Sequence, residues 1–246
     1  MTYIEGFVIA VPTANKDKFI AHARLGDAVF IDHGATRVVE CWQANVSKGK
    51  TTDFFGAVDA KDDEAVVFSW IEWPSKDARQ AMSGRMDQIM RTDDRFNPEK
   101  NPMPFDGARM IHGGFTPIVE RGEPAPGAYV QGFIVPAPAA KRDAYRAMAE
   151  QAWDMFREYG ALRVIEAWQD DVPEGRHTDF FRAVKAEPGE HVVFALMEWP
   201  SREVCDEAAA KMQADERMQP PAETDMPFDG KRMVWGGFER IVELTR

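Results

Sequence analysis

The sequence predicts an α+β fold: two ferredoxin-like domains in tandem, paired with each other as an intramolecular pseudo-dimer. Three observations lead there. First, the 246-residue chain repeats itself, and at a constant offset of 126 positions the stretch Tyr3–Lys76 matches its later copy at 33 of 74 positions. Second, the apolar periodicity of each copy switches between strand and helix in the order β-α-β-β-β-α-β, close to the ferredoxin-like pattern. Third, the strands are apolar at both parities (Val38 and Val39, Val66 and Val67, Phe68 and Ile71). A sheet whose helices cover one face must then bury its other face as well, and the second copy supplies the partner covalently, at high effective concentration.

Taken in order, Tyr3–Val11 is rich in Ile, Phe and Val and stops at Pro12, as a strand does. Lys16–Asp32 carries Phe19, Ile20, Ala23 and Phe30 at helical spacing. Its counterpart shows the period more fully, with Tyr145, Met148, Ala149, Ala152, Met155 and Phe156. Gly34 and Gly160 follow where a helix end commonly needs a left-handed residue. The strand Ala35–Gln43, A-T-R-V-V-E-C-W-Q, returns as Ala161–Gln169, A-L-R-V-I-E-A-W-Q. A short strand is expected over Asp53–Val58, and a strand buried on both faces over Ala65–Trp73. Ser75 and Ser201 then read as N-caps of a second helix, which in the first copy places Ala78, Ala81, Met82, Met86, Ile89 and Met90 on one face. A last strand over Arg109–Glu120 closes the copy. The Pro- and Gly-rich stretch R-G-E-P-A-P-G-A joins the copies, giving domains at 1–121 and 129–246 with a linker at 122–128.

Composition narrows the function classes. A net charge of −11 with no basic stripe argues against nucleic acid as a partner. No apolar run reaches 18 residues, so no membrane span is expected, and the N-terminus lacks the basic and apolar regions of a secretory signal. The two cysteines, Cys41 and Cys205, occupy non-equivalent positions of the repeat, which suits a reducing cytoplasm better than a structural disulfide. None of the five histidines recurs in both copies or has metal-ligand spacing, and no phosphate-binding glycine motif is present, so no metal or other cofactor is expected.

Several motifs occur in both copies and in the same order. They are Y-x-x-G-F, A-x-R-V-[VI]-E-x-W, T-D-F-F at Thr52–Phe55 and Thr178–Phe181, E-W-P-S, M-P-F-D-G and G-G-F. Together they resemble the YbaA-like family, a bacterial family of unknown function in the dimeric α/β-barrel superfamily, over nearly all of both halves. The resemblance implies two α/β-barrel domains whose usual intermolecular pairing has become internal. The superfamily it points to includes cofactor-independent monooxygenases, haem-degrading enzymes, isomerases and proteins without known activity. A fold shared so widely does not specify a reaction.

The polar residues that interrupt the repeated strands are the site candidates: Arg37, Glu40 and Glu72 in the first copy, Arg163, Glu166 and Glu198 in the second, with Trp42 and Trp168 beside them. Arg37 and Glu40 lie three apart on one strand and so point to opposite faces. A carboxylate in an aromatic-lined pocket would have a raised pKa and could serve as a general acid or base, while Arg could clamp an oxyanion. Equally, Arg and Glu could pair across strands or between the halves. Asp53 and Asp179, each after a turn, read as structural strand-entry residues. Two readings are therefore carried forward. One is a protein that binds a small apolar molecule in a pocket in each half, with Arg37 and Arg163, Glu40 and Glu166 as the polar groups and monooxygenase-like or isomerase-like catalysis as its enzymatic variant. The other is a non-catalytic assembly module. Further oligomerisation of the whole chain is left open.

Overall fold

Eight strands close into one barrel in the computed structural model, which describes residues 2–218 and 226–246. The first half contributes β1 (Tyr3–Pro12), α1 (Lys16–Asp32), β2 (Arg37–Asn45), α2 (Phe54–Ala57), β3 (Glu64–Trp73), α3 (Lys76–Ser83), α4 (Met86–Thr92) and β4 (Ile111–Gly122). The second contributes β5 (Tyr129–Pro138), α5 (Arg142–Glu158), β6 (Arg163–Asp171), α6 (Phe180–Ala183), β7 (Glu190–Trp199), α7 (Arg202–Ala214) and β8 (Val234–Thr245). Around the barrel the order is β1-β3-β2-β8-β5-β7-β6-β4, all antiparallel. Each half is thus a four-stranded sheet, and the two seams, β2 with β8 and β4 with β6, join the halves edge to edge. Closure leaves no free strand edge.

The strands' two apolar faces are both used. Inward, Phe68 of β3 and Phe194 of β7 stack at 4.6 Å with their planes 3° apart, one ring from each half. Phe54, Phe115, Phe180 and Phe238 surround them edge-on or stacked. The glycine of each Y-x-x-G-F motif makes room for the opposite half's ring. A Cβ on Gly6 would sit 2.6 Å from the Phe194 ring, and one on Gly132 would sit 2.9 Å from that of Phe68. Aromatic rings from both halves therefore pack together in the barrel interior. Outward, the sheets bury separate apolar layers under α1, α3 and α4 in the first half and under α5 and α7 in the second.

Three expectations change. The segment 53–58 is not a strand, because Asp53 accepts from the backbone N–H groups of Gly56 (2.6 Å) and Gly49 (2.9 Å) and turns the chain into the short helix α2. Asp179 caps α6 in the same way. The second helix of the first half breaks at Gly84 into α3 and α4, so Met82 and Ile89 are buried while Ala81 and Met90 face solvent. Finally, β4 runs on through Gly122, which trims the link between the halves to residues 123–128. Ser75 and Ser201 cap α3 and α7 as expected, and Gly34 and Gly160 adopt φ of +111° and +103° just after α1 and α5.

Candidate functional site

Alternation along β2 sends Arg37, Val39 and Cys41 into the barrel and Val38, Glu40 and Trp42 out towards α1. The repeated polar residues consequently separate into two groups.

Arg37, Glu72, Arg163 and Glu198 meet inside one end of the barrel, opposite the end that carries α2 and α6. Arg37 donates to Glu198 of the other half at 2.7 Å and to Glu72 of its own at 3.0 Å. Arg163 returns the exchange, donating to Glu72 with Nη1 at 2.7 Å and Nη2 at 2.9 Å. Arg240, Glu243 and Glu120 extend the network, and the Trp70 indole donates to Glu72. Burial pushes Glu72 and Glu198 up, but the guanidinium groups outweigh it and hold both carboxyls below their usual range. The four residues neutralise one another across the pseudo-twofold axis, and none of them lines the cavity described next. Trp42 packs against Phe19 beneath the Lys16 ammonium, and Trp168 packs against Tyr145 with its indole 2.9 Å from His191 Nδ1.

Glu40 belongs to the other group. Between α1 and the outer face of the first sheet lies a cavity of about 190 Å³, walled by Phe7, Phe19, Phe30, Phe96 and Phe105. Its polar lining is Glu40, Asp27, Ser69 and His22. Glu40 (7% exposed) and Asp27 (9% exposed) each carry an oxygen, Oε2 and Oδ2, that meets no donor. Burial pushes the Asp27 carboxyl up to about 8. Burial, and then the charge of Asp27, raises Glu40 well above its ordinary value, against a smaller opposing effect of the Ser69 hydroxyl. His22 is occupied, with Nδ1 2.9 Å from Asn101 Oδ1, and burial lowers its pKa.

The second half presents different side chains at this place. Trp153 stands where the repeat puts Asp27, and Tyr145 stands where it puts Phe19. Both are buried under α5, and the Tyr145 hydroxyl donates to Glu166 Oε2 at 2.8 Å. Burial still raises Glu166 to about 7, but its oxygen is satisfied. Two exchanges, Tyr for Phe and Trp for Asp, therefore remove a donor from Glu40 and bring in a second carboxyl. Asp27 is the residue that sequence reading passes over. It lies on the buried stripe of α1 with Phe19, Ala23 and Gly26, and its counterpart in the repeat is Trp153.

The raised values fix a sign. Both carboxyls hold their protons more tightly in the folded than in the unfolded chain, so the contribution of this pair to stability is greatest below an aspartate's ordinary 3.8. It is lost as the pH rises towards about 8. A wider depression of about 660 Å³ lies over α4, but its polar lining, including His33, Arg85 and Asp94, is solvent-exposed. Among the described residues no group of three or more His, Cys, Asp or Glu could hold a metal ion, and no helix is long and apolar enough to cross a membrane.

A family model described as "Protein of unknown function (DUF1428)" matches residues 2–107 and again 128–230. The uncharacterized protein YbaA of Escherichia coli (strain K12) is 56% identical over 115 residues, covering 47% of this chain and 97% of its own length. YbaA of Shigella flexneri matches to the same extent. Among solved structures, an anthrone oxidase-like protein superposes with a TM-score of 0.60 at 10% identity, over 99% of this chain and 93% of its own. A candidate monooxygenase from Lactobacillus acidophilus NCFM does so with a TM-score of 0.59 at 12% identity, over 99% and 96%. Likeness at such low identity concerns the fold.

Proposed function

We propose, from the premise that this chain belongs to the DUF1428 family of proteins of unknown function, that its first half binds a small, largely apolar molecule between α1 and the sheet. The observation that carries this reading is the aromatic cavity with two donor-less carboxyl oxygens, Asp27 Oδ2 and Glu40 Oε2. Burying such groups without partners is costly, and proteins rarely retain them without a role. Size limits the ligand. An engineered apolar cavity of about 150 Å³ takes benzene, so about 190 Å³ has room for one substituted ring, below the roughly 300 Å³ of a drug-sized site. The second half keeps the scaffold but carries Trp153 and Tyr145 at the corresponding positions of α5, and there Glu166 already has a donor.

A proton-transferring variant of this reading is favoured by the same carboxyl pair. A carboxyl that titrates near 8 can give or take a proton at neutral pH, as isomerase-like or cofactor-independent oxidative chemistry on a ring substrate requires.

The test is ligand-observed NMR with benzyl alcohol on the full chain. Contact is expected for the unmodified protein and should disappear in Asp27→Trp, which gives α1 the residue that fills this place in α5. Gly26→Met is a second plug, because a Cβ there has its nearest neighbour, the Phe96 ring, at an ordinary 3.9 Å. Undiminished contact in a folded plug variant, or none in the unmodified protein, overturns the proposal.

A further inference from the structure

We infer that the cavity under α1 selects a cationic nitrogen ligand, a small arylalkyl amine or aryl amidine, whose N–H groups reach Asp27 and Glu40 while its ring lies among the phenylalanines. This rests on the proposed function and narrows its ligand class.

The other buried carboxylates among the described residues are answered. Glu64 is met by Arg109, Glu72 by Arg37 and Arg163, Glu198 by Arg37 and Arg240, and Asp179 by two backbone N–H groups. Glu166 has the Tyr145 hydroxyl. Asp27 and Glu40 depart from this pattern, and the residues lining their cavity include no Lys or Arg. What the site lacks is positive charge and donors for Asp27 Oδ2 and Glu40 Oε2. An ammonium brings both, and an amidinium brings them as a planar fork suited to carboxyl oxygens. The walls fit the same occupant, since aromatic faces attract cations as well as apolar rings. A metal ion fits less well, because two carboxyls fall short of the six or more oxygens a hard cation takes, and among the described residues no group of three or more His, Cys, Asp or Glu could hold one.

Binding an ammonium requires the carboxyl pair to release the proton it holds when empty. The titratable groups facing it are Asp27 and His22 from α1 and Glu40 from β2; Ser69 is the polar group from β3, and Phe7, Phe96, Phe105 and Met110 bring no charge from β1 and the loops. His22 is engaged by Asn101, and burial lowers its pKa, which disfavours a competing charge there. Affinity for an amine should therefore rise with pH from 5 to 8 as the pair gives up its protons, whereas a neutral ligand should show no such rise.

Calorimetric titration of the full chain with benzylamine, benzamidine and benzyl alcohol tests this. Charged hydrogen bonds to two carboxyls should make benzylamine and benzamidine bind about tenfold or more tighter than benzyl alcohol at pH 8. That advantage should vanish in Asp27→Asn/Glu40→Gln, while benzyl alcohol binding persists. Equal affinity of benzylamine and benzyl alcohol for the unmodified protein overturns the cation preference and leaves the proposed function standing. Absence of binding by all three overturns both.

Discussion

Replacing Arg37 by methionine is expected to lower the stability of the chain by about 3–5 kcal/mol, the usual cost of breaking a buried ion pair from one side. For a protein of this length that corresponds to a fall in Tm of roughly 6–20 °C. The size of the effect comes from what is left behind. Arg37 answers Glu198 with two nitrogens and shares Glu72 with Arg163, and all four side chains are at most 7% exposed. Without Arg37, Glu198 keeps Arg240, the Ala125 N–H at 3.4 Å and a long contact to Arg163 at 3.5 Å, while Glu72 keeps Arg163 and the Trp70 indole. The exposed pair Lys76–Asp170 provides the control, since such pairs contribute about 0–1 kcal/mol. Urea denaturation followed by circular dichroism measures both. A loss for Arg37→Met as small as that for Lys76→Met would show that the network is not closed in the way described.

Phe194→Ala is expected to cost about 3–5 kcal/mol through the central core. Its ring stacks on Phe68 at 4.6 Å, meets Phe115 at 5.3 Å and Phe180 at 6.0 Å, and fills the space left by Gly6 of the other half. Truncation leaves a void that rings from both halves must try to fill. The symmetric change Phe68→Ala should cost about as much. The double variant should lose less than the sum of the two, because each ring's main partner is the other. Midpoints of urea unfolding check this, and strict additivity would contradict a shared core.

Much of the architecture is legible because duplication writes it twice. Apolar residues at both parities of β2 and β3 require two buried faces, and the repeat says where the second sheet comes from. What remained hidden depends on partners. Recurrence of Arg37 and Glu72 in both copies shows that they matter, but not that Arg37 answers Glu198 across the axis, since a side chain's partner is set by strand order and closure. The T-D-F-F segment reads as a strand by its aromatic content, and only the carboxylate of Asp53 folding back on Gly49 and Gly56 makes it helical. Of the site, Glu40 is legible as a polar interruption in an apolar strand. Asp27 is not, because one acid in an exposed-looking helix carries no signal until the rotation of α1 places it beside Glu40.

The carboxyl pair is the hinge of the functional reading, and its ionisation can be observed directly. Carbon-13 NMR titration of the Asp and Glu side-chain carboxyls, with Asp27→Asn and Glu40→Gln to assign the two signals, should show Asp27 titrating near 8 and Glu40 well above an ordinary glutamate. Both should move down when benzylamine is added. Titration of both groups near 4 would mean that they are already solvated or paired, and would contradict the account of this cavity as a site awaiting a donor.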